Sequence, residues 1–306
     1  MPFDELTPDC VIDALARVGF ILSPQQVHIE ARDERWVVHL PDQRLAWFAA
    51  SDEGRRRLAT ERQVLRLLED RCNFSAPRIQ MEDPAGDFDV RLMVPGVADP
   101  WRVYTQVCND VDLAVRIGAA VGEILAEQHL YVTEADVAGW LPTQPNWPES
   151  SQWIRERLYR VVDDPKLITD AETIISMYES VLISDADRAL VHTDVGFHNL
   201  GIDPMTYSVN GISDYEGAAW ADRHHDFRYL VFDFDRYELF DAALSVYEPA
   251  VGYRIERKRV LLYNAACAIM FLAYRADTPP QERSCGRTLA EDLGWTKHAI
   301  VQVLDR

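Results

Sequence analysis

Leu190-Val191-His192-Thr193-Asp194-Val195-Gly196-Phe197-His198-Asn199, then Gly211-Ile212-Ser213-Asp214-Tyr215-Glu216, then His225-Asp226-Phe227: this stretch decides the fold. Ala189-Leu190-Val191 is a short apolar run ending at His192, which reads as a buried strand entering a loop. Asp194 to Asn199 form that loop. Leu200-Gly201-Ile202 is apolar again, Asp203-Pro204-Met205-Thr206 is turn chemistry, and Val209 to Ser213 reads as the returning strand. A hairpin of this size brings Asn199 and Asp214 to the same end. Singly, each acid reads as an ordinary turn residue and Asn199 as a loop cap. In this order and spacing they form a compact oxygen-donor set. Phosphoryl transfer needs such a set: one carboxylate orients or deprotonates a hydroxyl, while an amide oxygen and a second carboxylate hold magnesium on a nucleotide.

The chain has 306 residues, enough for a large core divided between two lobes. Its apolar content of 48% and charged content of 26% are those of a soluble globular protein. The net charge of -19 argues against nucleic acid and anionic membrane surfaces as partners and favours a cationic small molecule. The same charge is also what simple solubility requires. Five cysteines, Cys10, Cys72, Cys108, Cys267 and Cys285, are widely spaced with no Cys-x-x-Cys pair. That pattern points to reduced thiols and a cytoplasmic setting. Met1 to Asp9 carries three acids and no apolar run, unlike a signal peptide. Val260 to Ala273, interrupted by Asn264, reads as a buried helix.

Thr7-Pro8-Asp9 opens a first helix. Gln26 to Ala31, Trp36 to Leu40 and Arg44 to Ala49 read as strands, and Asp52-Glu53-Gly54 opens a strong helix running to Cys72. Arg78 to Met81 and Val90 to Val94 read as further strands. From Val111 onward the pattern is mainly helical, with helices expected at Trp153 to Val162, Leu167 to Ile183, Phe227 to Leu244, Glu256 to Arg275 and Gly286 to Leu304. Strands followed by helices give an α+β fold class.

His192-x-Asp194-x4-Asn199 followed by Ile212-Ser213-Asp214 resembles the catalytic and metal-binding segments of the aminoglycoside phosphotransferases, relatives of choline kinase and, more distantly, of protein kinases. The resemblance implies a two-lobed protein-kinase-like fold. A small antiparallel-sheet N-lobe over residues 1–95 would cover a nucleotide, and residues 96–306 would form a large, mainly helical C-lobe. It implies Asp194 as catalytic base, Asn199 and Asp214 as magnesium ligands, and ATP or GTP as phosphate donor. His192 would be structural, and Asp226 would brace the catalytic loop. Glu61 sits where the N-lobe helix of the family carries an acid, though an ordinary solvated helix charge has the same sequence. Met93, Val94 and Gly96 sit where the hinge would border the nucleotide. Asp222, Asp233, Asp235 and Glu238 resemble the acidic stretch with which some of these enzymes contact substrate amines; a solvated helix face reads the same way.

The chain departs from this pattern in the N-lobe. Kinase-type sites place a lysine on the third strand, paired with the helix acid. The three lysines here are Lys166, Lys258 and Lys297, and Trp47 or Phe48 stands near the expected position. The first turn, Ala31-Arg32-Asp33-Glu34-Arg35, has no glycine. Thr193 stands where many relatives have glycine, and Tyr215-Glu216 follow Asp214 where glycine is common. Either an arginine such as Arg32, Arg35 or Arg44 replaces the lysine, or the nucleotide site has decayed. The sequence therefore points to a magnesium-dependent small-molecule kinase. The alternatives are a kinase for a macrolide or another metabolite, and an inactive kinase-like binding protein.

Overall fold

The computed structural model describes residues 5–32, 34–96, 100–145, 147–232, 236–284 and 286–304. Its N-terminal part is a five-stranded antiparallel sheet in the order β1-β2-β3-β5-β4. The strands are β1 (His28–Arg32), β2 (Arg35–Leu40), β3 (Arg44–Ala49), β4 (Arg78–Glu82) and β5 (Phe88–Leu92). Helix α1 (Pro8–Arg17) precedes the sheet, and helix α2 (Asp52–Arg71) lies between β3 and β4. Strand β5 begins two residues earlier than the apolar run suggests, because Phe88 pairs with Phe48 on β3 and stacks on its ring at 4.8 Å.

The period-two side-chain alternation gives this sheet two unlike faces. Val38, Leu40, Ala46, Phe48, Phe88 and Val90 join Val11, Ala14 and Leu15 of α1 in one apolar layer. The opposite face carries Val37, Trp47 and Ala49, which pack with Leu58 of α2. Phe48 therefore turns away from α2, and Trp47 faces it. Helix α2 is capped by Ser51, whose hydroxyl accepts from the Gly54 amide at 3.0 Å. Gly54 has no alternative: a Cβ there would lie 2.1 Å from the Glu34 carbonyl oxygen of the β1–β2 turn.

The C-terminal part is mainly helical: α3 (Pro100–Asn109), α4 (Val111–Tyr131), α5 (Glu134–Val137), α6 (Ser151–Leu158), α7 (Pro165–Glu179), α8 (Tyr229–Phe232), α9 (Tyr237–Val251), α10 (Arg257–Tyr274) and α11 (Leu289–Leu304). Two short strand pairs are set among them. Strand β6 (Arg188–Val191) pairs with β9 (Ala219–Asp222), and β7 (Leu200–Ile202) pairs with β8 (Val209–Ile212). The single helix expected over Phe227 to Leu244 is instead two, α8 and α9; residues 233–235 between them lie outside the described residues. Helix α10 is buried along nearly its whole length, as its apolar run requires. Helices α4 and α9 approach closely through Gly118 and Gly122, where a Cβ would meet the carbonyl oxygens of Leu239 and Ala243 at 2.1 and 2.4 Å.

The two parts share one core. Val64, Leu65 and Leu68 of α2 belong to the same buried cluster as Ile117 and Val121 of α4, Ile212 of β8 and Tyr215. The junction is equally tight. Gly96 adopts φ +128°, and a Cβ there would lie 2.6 Å from the Ile202 amide nitrogen, so the connecting strap lies directly on β7.

Candidate active site

Strand β6 delivers His192 into the loop, and the β7–β8 hairpin, with Leu200 opposite Ile212, places Asn199 and Asp214 at one end. The Ser213 amide donates to the Asn199 carbonyl at 2.8 Å and closes that end.

The loop is held by Asp226, which is fully buried. Its Oδ1 accepts from the Thr193 amide at 2.7 Å. Its Oδ2 accepts from the His192 amide at 3.0 Å, from Gln128 Nε2 at 3.1 Å and from His129 Nε2 at 3.1 Å. Burial opposes ionisation here, but the hydrogen bonds from His129 and the His192 amide, with the electrostatic pull of the two rings, prevail and hold the carboxyl below its usual range. Gln128 and His129 come from α4, and no local sequence signal marked them. His192 donates from Nε2 to the Ser213 carbonyl at 2.8 Å and accepts at Nδ1 from the Asp194 amide at 3.2 Å, which fixes its neutral tautomer.

Thr193 adopts φ +71°, a left-handed conformation unusual for a β-branched residue. Three contacts impose it. The Thr193 amide goes to Asp226, its carbonyl accepts from Arg228 Nη2 at 2.5 Å, and its hydroxyl donates to the Gly217 carbonyl at 3.0 Å.

Asp194 follows at the loop's mouth. Its Oδ2 lies 3.1 Å from His198 Nε2 and accepts from Asn199 Nδ2 at 3.2 Å, while its Oδ1 is buried with no hydrogen-bond partner among the described residues. Burial works to raise this carboxyl, but the His198 contact and the Arg228 charge outweigh it and hold the group well below the usual carboxylate range. Asn199 Nδ2 also donates to the Asp194 carbonyl at 2.9 Å, which leaves the amide oxygen uncommitted to Asp194. Asp214, at φ +68°, shows the opposite shift: burial and the negative charges of Glu61 and Asp194 push its carboxyl up, against the pull of Arg35 and His192.

On the N-terminal side, Glu61 of α2 is buried between two arginines. Arg91 Nη1 lies 2.8 Å from Glu61 Oε1, and Arg35 Nη1 lies 3.3 Å from Glu61 Oε2. Arg91 also binds Asp89 through Nε at 2.6 Å and Nη2 at 3.2 Å. Arg35 reaches on to Glu216, which pairs in turn with Arg57 at 3.2 Å. Trp47 lies among these ions, its ring centroid 4.5 Å from the Arg35 guanidinium and 5.3 Å from that of Arg91. Of the three arginines the sequence offered, Arg35 is beside Glu61. Arg32 pairs with Glu30, and Arg44 bonds Gln80 and Asp42. Arg91 was missed, because only the sheet register shows that it shares a face with Trp47.

The residues expected at the hinge and in the acidic stretch differ in setting. Met93 donates its amide to the Gln43 carbonyl at 2.9 Å, and Val94 packs against Gly201 under the strap. Asp222 is fully buried and turned from any cleft: it accepts from His224 Nδ1 at 2.6 Å, from Arg259 Nη2 at 2.5 Å and from the Tyr263 hydroxyl. Its expected contact with a substrate amine is thus replaced by structural bonding. Glu238 is exposed in the first turn of α9, 3.5 Å from Arg236 Nη2. Asp233 and Asp235 lie outside the described residues.

A small antiparallel sheet with one inward helix, joined by a strap to a helical lobe that carries a braced loop and a hairpin, defines a two-lobed kinase-like architecture. Comparison with solved structures agrees. The chain superposes on a GDP complex of a mutant aminoglycoside 2'-phosphotransferase-IIIa with a TM-score of 0.70 at 15% identity, covering 98% of this chain and 97% of that one. It superposes on the macrolide 2'-phosphotransferase of Brachybacterium faecium with a TM-score of 0.63 at 18% identity, covering 90% and 100%. For a streptomycin–ATP ternary complex of APH(2'')-IIa the TM-score is 0.63 at 14% identity, covering 91% and 93%. No family model and no curated protein matches the sequence. The fold is therefore the protein-kinase-like fold of the aminoglycoside and macrolide phosphotransferases.

Proposed function

We propose that this protein transfers the terminal phosphoryl group of ATP or GTP to a hydroxyl of a small molecule. The observation that carries this reading is Asp194: a carboxylate kept ionised, on a loop whose two backbone amides bond to Asp226, itself held by Gln128 and His129, with one buried oxygen that meets no hydrogen-bond donor among the described residues. A buried acceptor without a donor is costly unless a ligand supplies one, and an acceptor hydroxyl would do so.

Asn199 and Asp214 suit a magnesium ion. Asn199 offers an amide oxygen, and the charge surplus that raises Asp214 is what a divalent cation offsets. Magnesium so bound supplies charge neutralisation on the donor phosphates. The protein's own part is alignment. Asp194 orients the hydroxyl and receives its proton, Asp226 and His192 fix the loop, and Met93, Val94 and Gly96 form the edge on which the base rests. This reading sets the division between lobes at Pro95-Gly96 and places the protein in the cytoplasm, where its donor is plentiful. The acceptor is cationic, aminoglycoside-like: the net charge of -19 draws such a molecule in, and Glu238, with Asp233 and Asp235, supplies carboxylates for its amines.

The test is phosphotransfer from labelled ATP and GTP to a panel of aminoglycosides, macrolides and simple amino alcohols. Asp194→Asn is expected to lower the rate by about 10²–10⁴-fold without lowering thermal stability. An unchanged rate would overturn the assignment.

A second reading, a nucleotide-free scaffold, has one observation in its favour. Trp47 stands in the lysine's place, and both arginines beside it are already paired with carboxylates. It predicts no magnesium-dependent rise in melting temperature with ATP or GTP, whereas a ligand that binds only the folded state must raise it.

A further inference from the structure

We infer that Arg35 is the cation that receives the nucleotide's phosphates, and that Glu216 is the counter-ion it gives up when they arrive. The inference rests on the proposed nucleotide-dependent function and names how the N-lobe meets the donor without a lysine.

The two arginines beside Glu61 differ in freedom. Arg91 is bound inside the N-lobe on both sides, by Glu61 and twice by Asp89, and is 1% exposed. Its contacts consume the guanidinium's fork. Among the described residues of the lobe, Arg35 has one ionic partner, Glu61, at the longer distance of 3.3 Å. Its other partner, Glu216, belongs to the C-lobe, two residues after Asp214. The charge on Asp214 also acts directly on Arg35. Arg35 therefore spans the gap between the lobes at the carboxylate assigned to the cation. Its guanidinium lies over the Trp47 ring, which a lysine's place now provides as a platform.

Glu216 is built to be released. It keeps Arg57 as a second partner at 3.2 Å and is 18% exposed, so losing Arg35 leaves it neither unpaired nor dry. Arg35 in turn exchanges a carboxylate for a phosphate, both of which accept its planar fork. The work of the absent lysine is thus divided: Arg91 keeps Glu61 engaged, and Arg35 meets the ligand.

Binding constants for Mg-ATP, Mg-GTP and Mg-tripolyphosphate, measured by calorimetry, test this. Tripolyphosphate has no base and isolates the phosphate contact. Glu216→Gln is expected to bind all three about tenfold tighter, the scale of one charge-assisted contact. Arg35→Gln is expected to bind all three at least about tenfold more weakly. Arg57→Gln, which leaves Glu216 wholly to Arg35, is expected to weaken binding, and it decides the matter if Glu216→Gln does not fold. If the unaltered protein binds nucleotide and Glu216→Gln binds no tighter, the exchange is overturned and the proposed function stands. If neither binds nucleotide or tripolyphosphate, both fall.

Discussion

Replacing Asp226 by asparagine removes one negative charge and turns one acceptor into a donor, at a point where four donors converge. The side chain that results has one oxygen. Placed at the Oδ2 position, it still meets the His192 amide, Gln128 and His129, but its NH2 then faces the Thr193 amide where 2.7 Å now separates donor and acceptor. The reverse orientation strands three donors. In the better case one charge-assisted bond is lost, worth about 1.5–3 kcal/mol, and a buried N–H is left unsatisfied, costing about 1–3 kcal/mol more. The expected loss is therefore about 3–5 kcal/mol, a fall of roughly 1–2 M in urea midpoint at an m-value of about 3 kcal/mol/M. The pH dependence gives an independent check. The folded-state pKa of Asp226 is lowered, so its contribution is present above the unfolded value near 4 and is lost as pH falls through the folded value. The difference between the two proteins should narrow below about pH 4. A loss under about 1 kcal/mol at neutral pH, or a gap that widens in acid, would refute the reasoning.

Two further outcomes follow from buried ionisable groups. Arg91→Met leaves Glu61 and Asp89 buried without their shared cation and should cost about 3–5 kcal/mol in chemical denaturation. Adding Asp89→Asn should recover part of that, a non-additivity that an Arg91 without ionic work would not show. His225, buried and stacked on Tyr263 at 4.2 Å, has its pKa pushed down to about 3, chiefly by burial. Unfolding thus takes up a proton below the ordinary value near 6.5, and stability is full above that pH and declines toward 3. His225→Phe should be relatively more stable at pH 4.5 than at pH 8 by about 2–3 kcal/mol, measured as the change in unfolding free energy between the two.

What the sequence determined by itself is local. The strand-loop-strand order around Asp194, the hairpin that aligns Asn199 with Asp214, the start of α2 at Asp52-Glu53-Gly54 and the buried helix at Val260 to Ala273 follow from period and turn chemistry, which act over a few residues. What only the tertiary structure decided depends on register and on contacts between distant segments. That Arg91 and Arg35 share a face with Trp47 is set by how β5 and β2 pair with β3. That Asp222 is bonded inward follows from the approach of α10, some forty residues later. That Gln128 and His129 anchor Asp226, and through it the Asp194 loop, follows from α4 lying beneath it. A charged residue on a strand reads the same in sequence whether it meets solvent or a buried carboxylate. The difference is a long-range ion pair, and its energy exists only once the low-dielectric core has formed around it.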